Sequence, residues 1–316
     1  MVALGCGLFV YLVIRLGVRQ VARSLLEIGW HFALIAAIYV GYELVRSFAY
    51  WGCVTATGRF PYWDLFRFRL SGEAIQFLTS TGPFLAEPAK MWLLRERGLS
   101  TKRAVAATVC EYLIYTLTSA TLAVIGVVYL LGHVQVSRTV AVAARVAGLA
   151  TAAFLATAVC AILGRIYLIG AILKWVRTLP AIGRHMRFPE RDVRDTEDLL
   201  FIVLRDRPRR LLSILAVEFA AQTLLVLELF VLLRAAGVAF SAFQPFLIEG
   251  ATKYIGLAFF FIPGQVGAAE GTYALIFSAI GLPASAGFSL AVARRLRSLL
   301  VAGLGLALAA VRTPDV

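Results

Sequence analysis

Glu270 closes an interrupted apolar run, Phe259-Phe260-Phe261-Ile262-Pro263-Gly264-Gln265-Val266-Gly267-Ala268-Ala269-Glu270-Gly271. Proline and glycine stop a helix, and the helix that restarts after them presents unpaired N–H groups and the positive end of its dipole. In surroundings this hydrophobic, the pattern predicts a helix broken inside a membrane. Pro263, Gly264 and Gly267 would shape the break, Glu270 would lie beside it, and an anion such as a lipid phosphate would meet the N–H groups. A weaker copy, Thr81-Gly82-Pro83-Phe84-Leu85-Ala86-Glu87, lies in the first half.

Other charges also interrupt apolar sequence: Glu111, Arg145, Glu218, Glu228, Glu249, Lys253 and the group Arg294-Arg295-Leu296-Arg297. An ionised side chain at bilayer depth costs about 2.5–3.5 kcal/mol on insertion scales, so these residues are expected to meet inside a bundle or reach an interface. Arg294 and Arg295 could clamp the same phosphate, since guanidinium matches its oxygens in a fork. Glu87, Glu111 and Glu270 are candidate proton carriers, because buried carboxyls are the ones that titrate near neutrality. Glu249 and Lys253, four apart on a helix, are placed to neutralise each other, as are Glu43 and Arg46, three apart.

Positioning such charges requires membrane helices. The 316 residues are 60% hydrophobic and 16% charged, against about 45–50% and 25% in soluble domains, which makes the chain a polytopic membrane protein. Its 31 Lys+Arg against 18 Asp+Glu read as topology signals and anionic-lipid contacts. No solvated stretch alternates basic and stacking aromatic residues, which argues against nucleic acid as a partner. Cys6, Cys53, Cys110 and Cys160 share no metal or redox spacing, and His31, His133 and His185 are scattered. Neither a metal site nor a cofactor is expected.

Residues 2–18 make a marginal first span, and Arg15, Arg19 and Arg23 follow at every fourth position, as on an interfacial helix. Residues 30–56 form the first convincing span. Residues 62–80, the interruption after them and Met91-Trp92-Leu93-Leu94 are flanked by basic residues on both sides, as a re-entrant hairpin would be. Long spans are expected over 104–131, 140–172 and 211–236. Between the last two, residues 174–210 carry ten Lys/Arg against six Asp/Glu. The positive-inside rule assigns this segment to the cytoplasm, with a short interfacial helix near 190–204. The last apolar stretch, 285–311, contains Arg294 to Arg297.

The two interruptions repeat a spacing. Glu87 precedes Glu111 by 24 residues, and Glu270 precedes Arg294 by 24. Three spans between the hairpins would make them enter from opposite faces. The expected fold is therefore an all-α polytopic membrane protein of about six to eight transmembrane helices, with two re-entrant, broken-helix hairpins in an inverted repeat. It is a single integral membrane domain over 1–316, with a first repeat core at 57–131, a cytoplasmic basic loop at 174–210 and a second repeat core at 243–312.

Ile262-Pro263-Gly264-Gln265-Val266-Gly267-Ala268-Ala269-Glu270, followed by Gly281-Leu282 and an Arg-containing last span with Gly303-Leu304-Gly305, resembles the second motif of the lysylphosphatidylglycerol synthase transmembrane-region family, also called flippase-like proteins. The resemblance covers roughly residues 30–312. In its first half the family pattern is Pro-Gly, then Gly-acid, then Arg. Here those places read Thr81-Gly82, Ala86-Glu87 and Lys90, and Glu111-Tyr112 stands where Glu-Arg is usual. The resemblance implies movement of lipids between leaflets: aminoacylated phosphatidylglycerol, hopanoids or polyprenyl-linked glycans. It adds Gly82 and Lys90 to Glu87, Glu111, Pro263, Gly264, Gly267, Glu270, Arg294 and Arg295 as substrate-binding candidates, in a bacterial-type plasma membrane. Some members carry a fused transferase domain; this chain would be the membrane unit alone.

Three functional classes fit. The first is a lipid translocase without direct ATP drive, since no Walker A sequence is present. The second is an integral-membrane transferase on a lipid-linked substrate, although the Asp residues crowd into the basic loop and form no D-x-D. The third is a non-catalytic membrane subunit working with a separate lipid-modifying or glycosyl transferase.

Overall fold

The computed structural model describes residues 29–56, 59–79, 82–178, 190–258 and 267–310. Among them are eleven helices and no strand: α1 Trp30–Val54, α2 Tyr62–Leu78, α3 Pro83–Glu96, α4 Thr101–His133, α5 Arg138–Leu163, α6 Leu168–Arg177, α7 Glu190–Phe201, α8 Pro208–Ala235, α9 Gln244–Ala258, α10 Ala268–Ala279 and α11 Ala284–Ala310. Four of them, α1, α4, α5 and α8, are long and apolar enough to cross a membrane. α11 has 27 residues but carries three arginines. The hairpin helices α3, α9 and α10 have 14, 15 and 12 residues. At 1.5 Å per residue they reach only about 18–23 Å, short of a hydrocarbon core of about 30 Å.

One set of contacts organises the bundle. α1 and α8 run antiparallel along much of their length, with Ile35 near Leu229 at one end and Gly52 against Ile214 at the other. The first hairpin helix α2 packs on the last helix α11, and the second hairpin's α9 packs on α4. Both crossings are antiparallel: Leu70 lies at Gly305 while Leu78 clusters with Leu296 and Leu299, and Tyr129 stacks on Phe243 while Leu122 lies at Gly250. Each crossing depends on glycine. A Cβ on Gly305 would overlap the Leu70 carbonyl, and one on Gly250 would press to 3.3 Å from the Leu122 carbonyl. Tracing the antiparallel neighbours, α1 to α4 alternate in direction, and α8 to α11 alternate in the opposite sense.

The structure corrects two parts of the expected layout. Residues 140–172 are not one span. α5 ends at Leu163, where Gly164 and Ile166 donate back to the carbonyls of Cys160 and Ala161. Arg165 takes φ 53°, a left-handed stop of the kind that terminates helices. Its guanidinium then pairs with Asp206 at 2.9 Å, so a charged turn divides what hydropathy alone joins. Second, the helix at 190–204 is not the one that offers an apolar face outward. α7 and the π-helical turn Ile202–Asp206 bury Leu200, Phe201, Val203 and Leu204, and Lys102 ties α7 to α4 through Asp192 and Asp195. The outward-facing amphipathic helix is α6. It exposes Leu168, Ile172 and Trp175, one apolar stripe at helical spacing beside Lys174 and Arg177.

Residues 2–18, with Arg15, Arg19 and Arg23, lie outside the described residues, as does the break at 259–266. Replacing Gly305 by leucine should cost about 1–3 kcal/mol through overpacking against backbone. It should lower the thermal midpoint of the purified protein, whereas Gly132→Ala, at a position with open space around it, should leave the midpoint unchanged or slightly raised.

Candidate functional site

Hydrophobic cores close around two ionic clusters, and the first centres on Glu111 in the N-terminal third of α4. Its Oε1 accepts from Arg46 and Arg69, each at 2.7 Å, and its Oε2 accepts from Lys90 at 3.1 Å. The three cations come from α1, α2 and α3, so one carboxylate holds three helices to a fourth. Each cation has a further acid. Arg46 donates to Glu218 of α8 at 3.0 Å, Arg69 to Glu43 at 2.9 Å and Glu73 at 3.3 Å, and Lys90 lies 2.8 Å from Glu87. Arg46 also donates to the Tyr42 hydroxyl and stacks over the Tyr115 ring at 3.8 Å. Glu43 and Arg46, neighbours on a helical face, thus serve different partners. The expected local pair gives way because both cations of α1 and α2 gain more from a shared buried acceptor. Glu43 Oε1 and Glu218 Oε2 are buried with no hydrogen-bond partner among the described residues.

The second cluster centres on Arg294 of α11. Its Nη2 lies 2.7 Å from Glu249 of α9 and 3.2 Å from Glu228 of α8, and its Nη1 donates to the Tyr273 hydroxyl of α10 at 2.9 Å. Arg297 pairs with Glu228 as well. Lys253 pairs with Glu249 at 2.6 Å, the expected four-residue neighbour. Glu270 pairs with Arg295 and accepts the Gly267 N–H at 2.9 Å. It stands at the third position of α10 and caps its own helix, so its carboxylate occupies part of the N-terminal end that an external anion would otherwise meet.

The 24-residue spacing therefore has a geometric counterpart. In the first half the residue three after the motif acid, Lys90, bonds the residue 24 after it, Glu111; in the second half Tyr273 bonds Arg294 in the same relation. The charge at the centre is inverted, acid in one cluster and base in the other. Ionised, and among the described residues, the first cluster sets five carboxylates (Glu43, Glu73, Glu87, Glu111, Glu218) against three cations (Arg46, Arg69, Lys90). The second sets three carboxylates (Glu228, Glu249, Glu270) against four cations (Lys253, Arg294, Arg295, Arg297).

Glu111 and Arg294 do not share one site; one contact ties the Arg294 cluster to α4, and a second chain of contacts joins the two clusters. Gln222 of α8 accepts from Lys253 at 2.9 Å and donates to Ser119 of α4 at 3.2 Å. Arg297 lies over the Tyr39 ring, Tyr39 stacks on Tyr42, and Tyr42 bonds Arg46. Gly82, at φ 50°, starts α3 as Gly267, at φ 84°, starts α10. Pro263 and Gly264 lie outside the described residues. Arg145 is exposed on α5, away from both clusters.

Residues that the spacing argument missed are Arg46, Arg69, Glu43, Tyr273 and the bridging Gln222, Tyr39 and Tyr42. Arg69 and Glu73 carried a signal, four apart on one face of α2; Tyr273 carried one too, holding the place of Lys90 in the repeat.

Helices of membrane-crossing length around buried, mutually bonded charges make this a multi-pass membrane protein. The chain matches the family described as Lysylphosphatidylglycerol synthase TM region over residues 2–305, and it belongs to that family. That match begins well before the motif residues, taking in the N-terminal stretch that the resemblance left out. No curated protein matches the chain.

Removing one partner of a buried ion network costs about 3–5 kcal/mol, because the remaining charges stay buried. Glu111→Gln should therefore lower the thermal midpoint far more than Glu87→Gln, whose side chain is 15% exposed and has one cation beside it. Adding Lys90→Met to Glu111→Gln should restore part of the loss, read as a coupling in a double-mutant cycle.

Proposed function

We propose that the protein is a lipid translocase: it moves a lipid whose headgroup carries charge between leaflets, without altering the lipid covalently. The observation that carries this reading is the pair of buried clusters, one centred on an acid and the other on a base, each reached by a hairpin of helices too short to cross. The opposed directions of α1–α4 and α8–α11, and the exchange of packing between α2 and α11 and between α9 and α4, support an inverted repeat with two re-entrant hairpins.

A headgroup with both an amine and a phosphate, as on aminoacyl-phosphatidylglycerol, suits this charge layout. Its phosphate would replace a glutamate beside Arg295 or Lys90, and its amine would stand near the acid-rich Glu111 cluster. Exchange of one internal ion pair for an equivalent external one leaves the buried charge balanced, so it avoids the cost of an unpaired ion. Glu87, Glu270, Lys90 and Arg295 are the exchange positions; Glu111 and Arg294 hold the helices that carry them. Hopanoids and polyprenyl-linked glycans remain within the same class of amphiphile, and a separate transferase would supply a modified lipid. The basic residues at the end formed by Arg59, Arg95–Lys102 and α6–α8 support a plasma-membrane orientation with 174–210 in the cytoplasm.

Reconstituted into vesicles, the protein should move labelled aminoacyl-phosphatidylglycerol faster than protein-free vesicles do. Glu270→Gln and Arg295→Gln should each slow movement at least tenfold per folded molecule, a loss larger than the accompanying fall in thermal midpoint accounts for at the assay temperature. Mass analysis should recover the lipid unchanged. Equal rates with and without protein would remove the translocase reading, and a covalently altered lipid would favour the transferase.

A further inference from the structure

Between the C-terminal half of α1 and the N-terminal half of α8 runs an open groove of about 740 Å³. Its walls are two helical stripes, Val45, Phe48 and Trp51 from α1 and Ile214, Val217 and Ala220 from α8. From residue 45 to residue 55 the groove extends about 15 Å at helical rise, the depth of one leaflet's hydrocarbon. Phe48 and Trp51 are among the exposed large apolar residues, and the indole N–H is fixed to the Phe60 carbonyl at 2.9 Å. An apolar slot of this length, with an anchored tryptophan in its wall, has the shape of an acyl-chain site at a membrane interface.

The end of the groove beyond Trp51 is basic. Arg59 and Arg210 line it, and Arg207 and Arg209 line an adjoining hollow that shares Arg210. Arg210 donates to the Gly52 carbonyl at 2.9 Å and to the Thr55 hydroxyl at 2.5 Å, while Arg207 donates to the Ala56 carbonyl at 3.2 Å. Those bonds hold two guanidiniums over the end of α1 but supply no countercharge. None of the four arginines forms a salt bridge to a carboxylate among the described residues, whereas every arginine of the two buried clusters does. Four uncompensated guanidiniums at the polar mouth of a leaflet-deep apolar slot call for an anion carrying a hydrocarbon tail.

We propose that the α1–α8 groove is a docking site for one anionic phospholipid, its phosphate held by Arg59, Arg209 and Arg210 and one acyl chain laid along Val45, Phe48 and Val217. The site is separate from the Glu111 and Arg294 clusters and does not depend on the translocase reading.

The test is lipid binding to the purified full-length protein, read by native mass spectrometry with phosphatidylglycerol and with phosphatidylcholine. One phosphatidylglycerol should be retained at least tenfold more tightly than phosphatidylcholine. Arg59→Gln/Arg209→Gln removes charges that do not cap α1, and Val217→Trp fills the slot while keeping every charge; each should weaken phosphatidylglycerol about tenfold. Arg95→Gln/Arg103→Gln removes the same charge from exposed positions at the same end and should change nothing. Equal binding of the two lipids, or equal weakening by the two arginine pairs, would overturn the proposal in favour of diffuse surface attraction. Undiminished binding in a folded Val217→Trp would overturn the acyl-chain placement. Glu270→Gln should bind phosphatidylglycerol normally even if its transport is lost, which separates this site from the proposed transport path.

Discussion

Glu111 is almost fully buried and holds a cation from each of three other helices, and the architecture follows from that constraint. A carboxylate taken out of water is tolerable only if its oxygens are saturated by charged donors. Arg46, Arg69 and Lys90 can reach it only if α1, α2 and α3 all converge on the N-terminal third of α4. Each of those cations then needs more negative charge than Glu111 alone supplies, which brings in Glu43, Glu73, Glu87 and, from the other half of the chain, Glu218. Satisfying one buried charge thus recruits five helices.

The second half solves the same problem with the sign reversed. Arg294 is central, and Glu228, Glu249 and Tyr273 are brought to it from α8, α9 and α10. α8 contributes to both clusters along one helix, Glu218 to the first, Glu228 to the second and Gln222 between them. The stacked Tyr39–Tyr42 pair makes a parallel connection on α1. A disturbance of either cluster therefore meets the other through packed rings and hydrogen bonds on the two antiparallel helices at the middle of the bundle.

Much of this was legible in the sequence, and particular residues explain the rest. Glycine-bounded helix starts before Glu87 and Glu270, the 24-residue spacing, the Glu249–Lys253 pair and the long spans all arise from local pattern, which sequence carries directly. Arg46 choosing Glu111 and Glu218 over Glu43 does not, because the choice is made by helices 65 and 172 residues away. The division of 140–172 was missed because Arg165 is a lone charge in an apolar run, and its partner Asp206 is 41 residues on. Glu270 capping its own helix, where Glu87 lies two residues deeper and pairs with Lys90, depends on where each helix begins: its capping glycine is three residues ahead of Glu270 and five ahead of Glu87.

The exchange of packing partners between the halves also bears on how the chain becomes a folded object at all. α2 fits α11 only through the missing side chain of Gly305, and Arg46 in the first half leans on Glu218 in the second. The first half cannot close its ionic cluster without Glu218, and each glycine-lined crossing joins one half to the other. The first cluster and both crossings are therefore complete only once the second half is in place. Maturation is thus a late clasping of two interdependent fragments, and two separately encoded halves would have meaning only when made together.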